Sequence, residues 1–293
     1  FSTRIEYRTI SPETNNSFYS NLEPSNVKTR NFLLLSGGLS ISKTWNEFSI
    51  YNHLLYTSRA PKIEDLFSDG PHLGSYSYEI GDPNLDQENT LGFENTFSFF
   101  NNKTNFNLTS YINYSSNYHI SQKMGEGYIP GADWIEWGSG PSGWLYKYRL
   151  YGLNTLIFGI EPNFILKLRH FDFRGNASFC RGLDKDKNKS LSYMPPDKVR
   201  FQIEKNISFF KNTLEMIFIA AQNKVGEFET KTDGYQLLNY SCSYTIGEND
   251  KTHKLIIQLN NIFNQKYYNH LSKIKMIIPE PGINLNINYR IYF

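Results

Sequence analysis

Cysteine is scarce, with two in 293 residues, which excludes a disulfide framework and a Cys-rich metal site. Charge of one sign is lacking too. Lysine and arginine number 30 against 28 acidic residues, for a net charge of +2. That balance argues against an electrostatic nucleic-acid binder, and no nucleic-acid partner is expected. No apolar run approaches the roughly 18 residues of a membrane helix. The longest, Met216 to Ala221, is far too short. Helical periodicity is missing as well. No segment keeps apolar residues at i, i+3, i+4 and i+7 for three turns, although Ile63 to Phe67 has the makings of one turn. There is no recurring repeat and no disordered linker to mark a domain boundary. Catalytic signatures are absent: no Gly-x-Ser-x-Gly, no His-Glu-x-x-His, no phosphate-cradling loop. A non-enzyme is expected, with no resident cofactor implied. The sequence opens on Phe1 without a leader pattern, so it reads as a mature chain or a fragment.

Aromatic residues are abundant: 22 Phe, 21 Tyr and 4 Trp. They fall in a period of two. At the C-terminus Leu285, Ile287, Tyr289, Ile291 and Phe293 alternate with Asn284, Asn286, Asn288, Arg290 and Tyr292. Successive strand side chains point to opposite faces, so one face is apolar and the other polar. The same holds for Phe106, Leu108, Ile112, Tyr114 and Tyr118 against Asn105, Asn107, Thr109, Asn113 and Asn117. It holds again for Phe201, Ile203, Ile207 and Phe209, and for Leu91, Phe93, Phe97 and Phe99. A soluble sandwich shows such alternation with its apolar face inward. These runs, however, are about 10 to 15 residues long, against about 5 to 6 for ordinary strands and roughly 9 to 11 for a tilted membrane strand.

Twelve strands are expected: 1–9, 29–41, 44–58, 90–101, 103–119, 146–160, 163–177, 197–209, 211–222, 233–246, 252–263 and 284–293. Short connections (Ser42-Lys43, Asn102, Glu161-Pro162, Phe210, Gly247 to Lys251) alternate with long ones (10–28, 59–89, 120–145, 178–196, 223–232, 264–283). An up-and-down antiparallel transmembrane β-barrel gives that alternation, with turns at one end and long loops at the other. The expected fold is therefore all-β. A passive porin or small barrel, complete as it stands, remains open on these grounds, as does a soluble β-sandwich adhesin or lectin.

Two stretches carry a resemblance. One is Ser58-Arg59-Ala60-Pro61, Glu64-Asp65-Leu66-Phe67, Asp69-Gly70-Pro71-His72 and Tyr78-Glu79-Ile80-Gly81-Asp82-Pro83-Asn84-Leu85 with Glu88. The other is Gly234-Tyr235 with Leu238-Asn239, Asn261-Ile262-Phe263-Asn264 with Tyr267, His270-Leu271-Ser272, Pro281-Gly282 and the last strand. In this order they resemble the C-terminal half of the barrel of TonB-dependent outer-membrane receptors, over essentially the whole chain. The resemblance implies residues 1–293 as about the last twelve strands of a roughly 22-stranded barrel, without its plug domain. It implies the bacterial outer membrane and its lipid as surroundings, and import of a metal ion, haem, zinc or a ferric siderophore with energy from TonB through the missing plug. Phe293, with Ile291 and Tyr289 before it, looks like the signal read by the barrel-assembly machinery.

The loop 59–89 carries the expected substrate-binding residues. In haem receptors of this type an Arg-Ala-Pro box and an Asn-Pro-Asn-Leu box bracket a loop histidine. Here Arg59-Ala60-Pro61, His72 and Asp82-Pro83-Asn84-Leu85 stand in that order, with Asp in place of the first Asn. Asp69-Gly70-Pro71-His72 followed by Tyr78-Glu79 is also similar to zinc receptors. A neutral imidazole suits haem iron and zinc alike, so His72 is the candidate metal ligand, with Arg59 and Glu79 beside it; the other reading of His72 is a turn residue. His119 and His270 fall near the same side. Trp134, Trp137 and Trp144 lie in the Gly-rich loop 120–145, placed to stack on a ligand or cover the mouth. Asp184 to Asn188 starts like a calcium loop, but Lys189 and Pro195 stand where Gly and Glu are required. Cys180 and Cys242 are not expected to pair.

Overall fold

The computed structural model describes residues 1–12, 21–136, 144–248 and 251–292. In chain order its strands are β1 (Ser2–Ile10), β2 (Arg30–Trp45), β3 (Phe48–Arg59), β4 (Asp69–His72), β5 (Ser77–Ile80), β6 (Glu88–Phe100), β7 (Thr104–Lys123) and β8 (Trp134–Glu136). They continue with β9 (Trp144–Lys167), β10 (Asp172–Asp184), β11 (Lys189–Ser190), β12 (Lys198–Ile207), β13 (Phe210–Ile219), β14 (Tyr235–Glu248), β15 (Lys251–Asn260) and β16 (Asn284–Tyr292). All belong to one sheet. Twelve follow one another across it as β1-β2-β3-β6-β7-β9-β10-β12-β13-β14-β15-β16, and β1 and β16 do not pair with each other. The four short strands β4, β5, β8 and β11 sit in the long connections. One helical turn, α1 (Ile63–Phe67), precedes β4.

Register carries the two faces from strand to strand. Leu54, Phe93, Ile112 and Phe158 stand opposite one another in successive pairs, as do Ile257 and Ile287. The apolar face is not covered. Leu285, Ile287 and Tyr289 keep 59%, 63% and 60% of their surface. Asn52 and Asn95 interrupt this face, but the Asn95 amide donates to Asn52 Oδ1 at 2.8 Å. The other face is polar and bonded across strands. Thr96 meets Thr109 at 3.0 Å, Ser98 donates to Asn107 at 2.7 Å, and Glu215 accepts from Gln202 and Asn239 at 2.7 and 2.9 Å. Exposed greasy side chains outward and a hydrogen-bonded polar lining inward are the pattern of a barrel wall in lipid, and the reverse of a sandwich core.

Buried apolar residues collect instead at the loop end. One cluster joins Ile10, Phe32, Leu34, Leu66, Phe67, Leu85 and Leu150; another joins Ile120, Leu153, Cys180, Leu191 and Met194. The loops thus fold back onto the upper inner wall.

Several sequence expectations need correction. Glu161-Pro162 does not turn. β9 runs through it to Lys167, and the turn falls at 168–171, so the expected strand 163–177 straddles the end of β9 and half of β10. Likewise β2 continues past Ser42-Lys43 to Trp45, and the turn uses Asn46, whose φ of 51° is one that Asn tolerates. Tyr118 does not share the face of Tyr114. An extra residue on β7 shifts its register against β9 between Ser115 and Tyr118, with Asn117 at φ 53°. That bulge reverses the alternation and packs Tyr118 against the Cys180 cluster. Cys180 and Cys242 are both free thiols. Phe293 lies outside the described residues.

Candidate ligand-binding site

The loop between β3 and β6 is built by its two sequence boxes. Ala60 and Pro61 are buried, and α1 starts just after them with the Asp65 carboxylate accepting from the Lys62 N–H at 2.9 Å. The second box closes on the first. Gly81 N–H donates to Ser68 O at 2.7 Å and Asp82 N–H to Asp65 O at 2.9 Å. Asp82 Oδ1 in turn accepts from Asn84 N–H at 3.0 Å, an Asx turn that an aspartate makes as well as an asparagine. The Arg30 guanidinium donates to Pro83 O and, at 3.3 Å, to Leu85 O. These boxes are scaffold. Their closure depends on Gly81, because a Cβ there would stand 2.7 Å from the Leu66 backbone. Gly81→Ala is expected to cost about 1–3 kcal/mol through overpacking. Amide exchange over 60–87 should then accelerate while the barrel strands stay protected.

What the scaffold presents is the β4–β5 hairpin. His72 lies at its tip, exposed, with Nδ1 3.2 Å from Ser75 Oγ. Glu79, on β5, reaches another loop and pairs with Lys273 at 2.9 Å, while Ser77 Oγ donates to it at 3.1 Å. Burial works to raise the Glu79 pKa, but Lys273, Ser77 and nearby His72 outweigh it and hold the carboxyl below its ordinary range. Arg59 is elsewhere. It ends β3 and pairs with Glu88 at 2.7 Å, and Glu88 also accepts from the His119 N–H at 3.1 Å. Trp134, on β8, stands opposite Tyr146 and meets Trp144 edge-on at 6.0 Å. Its indole nitrogen is buried without a partner among the described residues. Trp137 lies outside the described residues.

His72, Glu79 and Trp134 thus stand on the short strands β4, β5 and β8 next to the start of β9, whereas Arg59 is held apart from them by Glu88. Among the described residues no three His, Cys, Asp or Glu side chains gather as a metal site. His119 bonds to Asp86 O at 2.7 Å, whereas His270 is buried beside Glu229.

A cavity of about 80 Å³ does form where the loops meet β7 and β9. Tyr76, Tyr146, Tyr148 and Tyr193 line it, and burial pushes the Tyr148 and Tyr193 hydroxyl pKa values up. Lys123, Lys273, Lys275 and Glu229 complete the wall. Lys123 Nζ sits 3.6 Å from the Tyr146 ring centre, and Lys273 Nζ 4.6 Å from that of Tyr148. Glu79 is tied to this cavity through Lys273, and Trp134 through Tyr146. The tyrosines and lysines escape a motif search because two strands and three separate loops supply them. The signal available in sequence was the alternation Tyr146-Lys147-Tyr148, which puts both rings on one side of a strand.

No family model matches the sequence. Among solved structures, the chain is similar to the copper transporter OprC, with a TM-score of 0.76 and 16% identity over 97% of this chain and 43% of that one. It is also similar to the ferric enterobactin receptor PfeA from Pseudomonas aeruginosa (TM-score 0.61, 15% identity, 90% of this chain, 41% of that one). The FrpB iron transporter from Neisseria meningitidis matches with a TM-score of 0.60 at 13% identity, over 91% and 40% of the two chains. The chain thus spans less than half the length of each. At such identities the likeness is one of architecture, and it agrees with the open antiparallel sheet, the uncovered apolar face and the infolded loops: the chain has the fold of part of the β-barrel of these transporters and receptors.

Proposed function

We propose that the chain is the C-terminal part of the barrel of a bacterial outer-membrane receptor that imports a metal or metal chelate. The mechanism is binding, without chemistry on the cargo. Loops at the mouth capture it, and the polar lining relays it inward past a TonB-driven plug that is not in this sequence. The observation that carries this reading is the apolar face left open along the sheet, which a bilayer would cover. The copper, enterobactin and iron proteins of like architecture support the class of cargo.

Cells expressing the full-length protein test it with labelled copper, zinc, haem and ferric enterobactin. One of these is expected to accumulate, and a protonophore is expected to stop it. Uptake that survives the protonophore would identify a passive pore. His72→Ala is expected to lower uptake while stability stays within about 0.5 kcal/mol, the usual range for an exposed side chain. Unchanged uptake would make His72 a turn residue.

A further inference from the structure

We infer that the tyrosine-lined cavity between β7, β9 and the loops is a subsite for an anionic oxygen group borne on a ring, with Lys123 as its cationic partner. This deepens the import reading and rests on it for its biological meaning.

The three lysines of the cavity are not equivalent. Lys273 is taken by Glu79 at 2.9 Å. Lys275 is buried and donates to Thr230 O, Thr232 Oγ1 and His270 Nδ1 at 2.8, 3.1 and 3.1 Å, which uses all three of its protons. The Lys123 ammonium makes no ion pair and no hydrogen bond among the described residues. Its one close partner is the face of Tyr146. A half-buried ammonium held over a ring, with its protons unspent, is matched by an anion arriving from the cavity. Burial already pulls the Lys123 pKa below the ordinary lysine range, and Glu126 and Asp133 only partly offset that.

Shape and composition restrict the anion. A volume of about 80 Å³ holds several water-sized groups, at roughly 10–15 Å³ each, and so admits one ring or carboxylate and not a whole large chelate. The tyrosine rings on the walls suit an aromatic body, met at their edges where Lys123 and Lys273 already cover the faces of Tyr146 and Tyr148. Glu229 does not repel the incoming charge strongly, because its carboxylate is turned into a cage formed by His270 and the N–H groups of Gly226 and Tyr193. The subsite therefore takes one hydroxyaromatic or carboxylate arm of a ligand. It disfavours a bare metal cation, because Glu79 and Glu229 are already held by their own partners and the unspent group is the Lys123 ammonium.

Salicylate binding to the purified full-length receptor tests this, with neutral salicylamide as the matched probe. Salicylate is expected to bind at least about tenfold more tightly than salicylamide, the scale of one charge-assisted contact. Lys123→Met should remove that preference and Lys123→Arg should keep most of it. Equal binding of the two probes to the unaltered protein overturns the inference, even if Lys123→Met fails to assemble. So does a preference that Lys123→Met leaves intact. The uptake assays read out independently. Import of free copper without salicylate binding would sink the anion subsite and leave the receptor reading standing, whereas salicylate binding without any import would do the reverse.

Discussion

Ile160→Arg is expected to block assembly of the full-length protein in the outer membrane. Ile160 lies midway along the membrane-length part of β9, opposite Ser110 on one side and Phe179 on the other, and half of its surface is open. In water an exposed isoleucine on a sheet surface tolerates a charge at little cost, within about 0.5 kcal/mol. At the midplane of a bilayer an outward arginine costs about 2–4 kcal/mol, which lowers the folded fraction by roughly one and a half to three orders of magnitude. Asn163→Arg, three residues on and on the polar face, should assemble normally, since the inner lining accepts charge. The heat-modifiable folded band on gels, compared for the two variants, gives the answer. If both assemble alike, the apolar face is not in lipid.

Glu229→Ala is expected to release the loops 223–232 and 264–283 from the mouth. The Glu229 and His270 side chains keep 5% and 1% of their surface, with Oε1 and Nε2 3.0 Å apart. Lys275 can only donate to His270 Nδ1, so the imidazole proton sits on Nε2, facing the carboxylate. Glu229 also accepts from the N–H groups of Gly226 at 2.9 Å and Tyr193 at 3.1 Å. Removing the carboxylate leaves buried N–H donors without their acceptor, at about 1–3 kcal/mol, so amide exchange in both loops should rise by about one to two orders of magnitude. The same group sets a pH dependence. Burial tends to raise the Glu229 pKa, but His270 and the two N–H donors outweigh it and hold it below the ordinary carboxylate range. A lowered carboxyl pKa contributes stability that is complete above the unfolded value and fades as pH falls through the folded one. Loop docking should therefore hold at neutral pH and weaken under acid, and in Glu229→Ala that acid step should vanish. Loops that exchange equally fast in both proteins would show that Glu229 does not anchor them.

Much of the fold is legible in the alternation alone. Leu285 to Ile291, and Leu91 to Phe99, repeat a two-residue period long enough to fix both strand and face, because any one-residue slip would put every polar side chain on the apolar face. Boundaries are less legible. Glu161-Pro162 looks like a turn, yet neighbouring strands hold it extended. At Asn117 a single left-handed residue reverses the alternation, and nothing local separates that asparagine from its neighbours in the strand. The site is legible only in part. The boxes at Arg59 and Asp82 mark a scaffold whose packing is local in sequence, so they can be found by motif. The cavity depends on Lys123, Tyr146, Tyr193 and Lys273 meeting from distant connections, which only the closed loop arrangement decides.

Pro162 has one more effect. The ladder between β9 and β10 skips two rungs there, Glu161 against Ser178 and Pro162 against Ala177, while the pairing of the same residues with β7 is unbroken. Proline has no proton to give, so the adjoining strand faces a stretch of backbone with a missing donor, which a bilayer would offer no water to replace. Two staves of the wall are thus joined more weakly along this seam than along any perfect stretch beside it. Strain imposed on the wall from within should part β9 from β10 more readily at that line than along the unbroken rungs on either side of it.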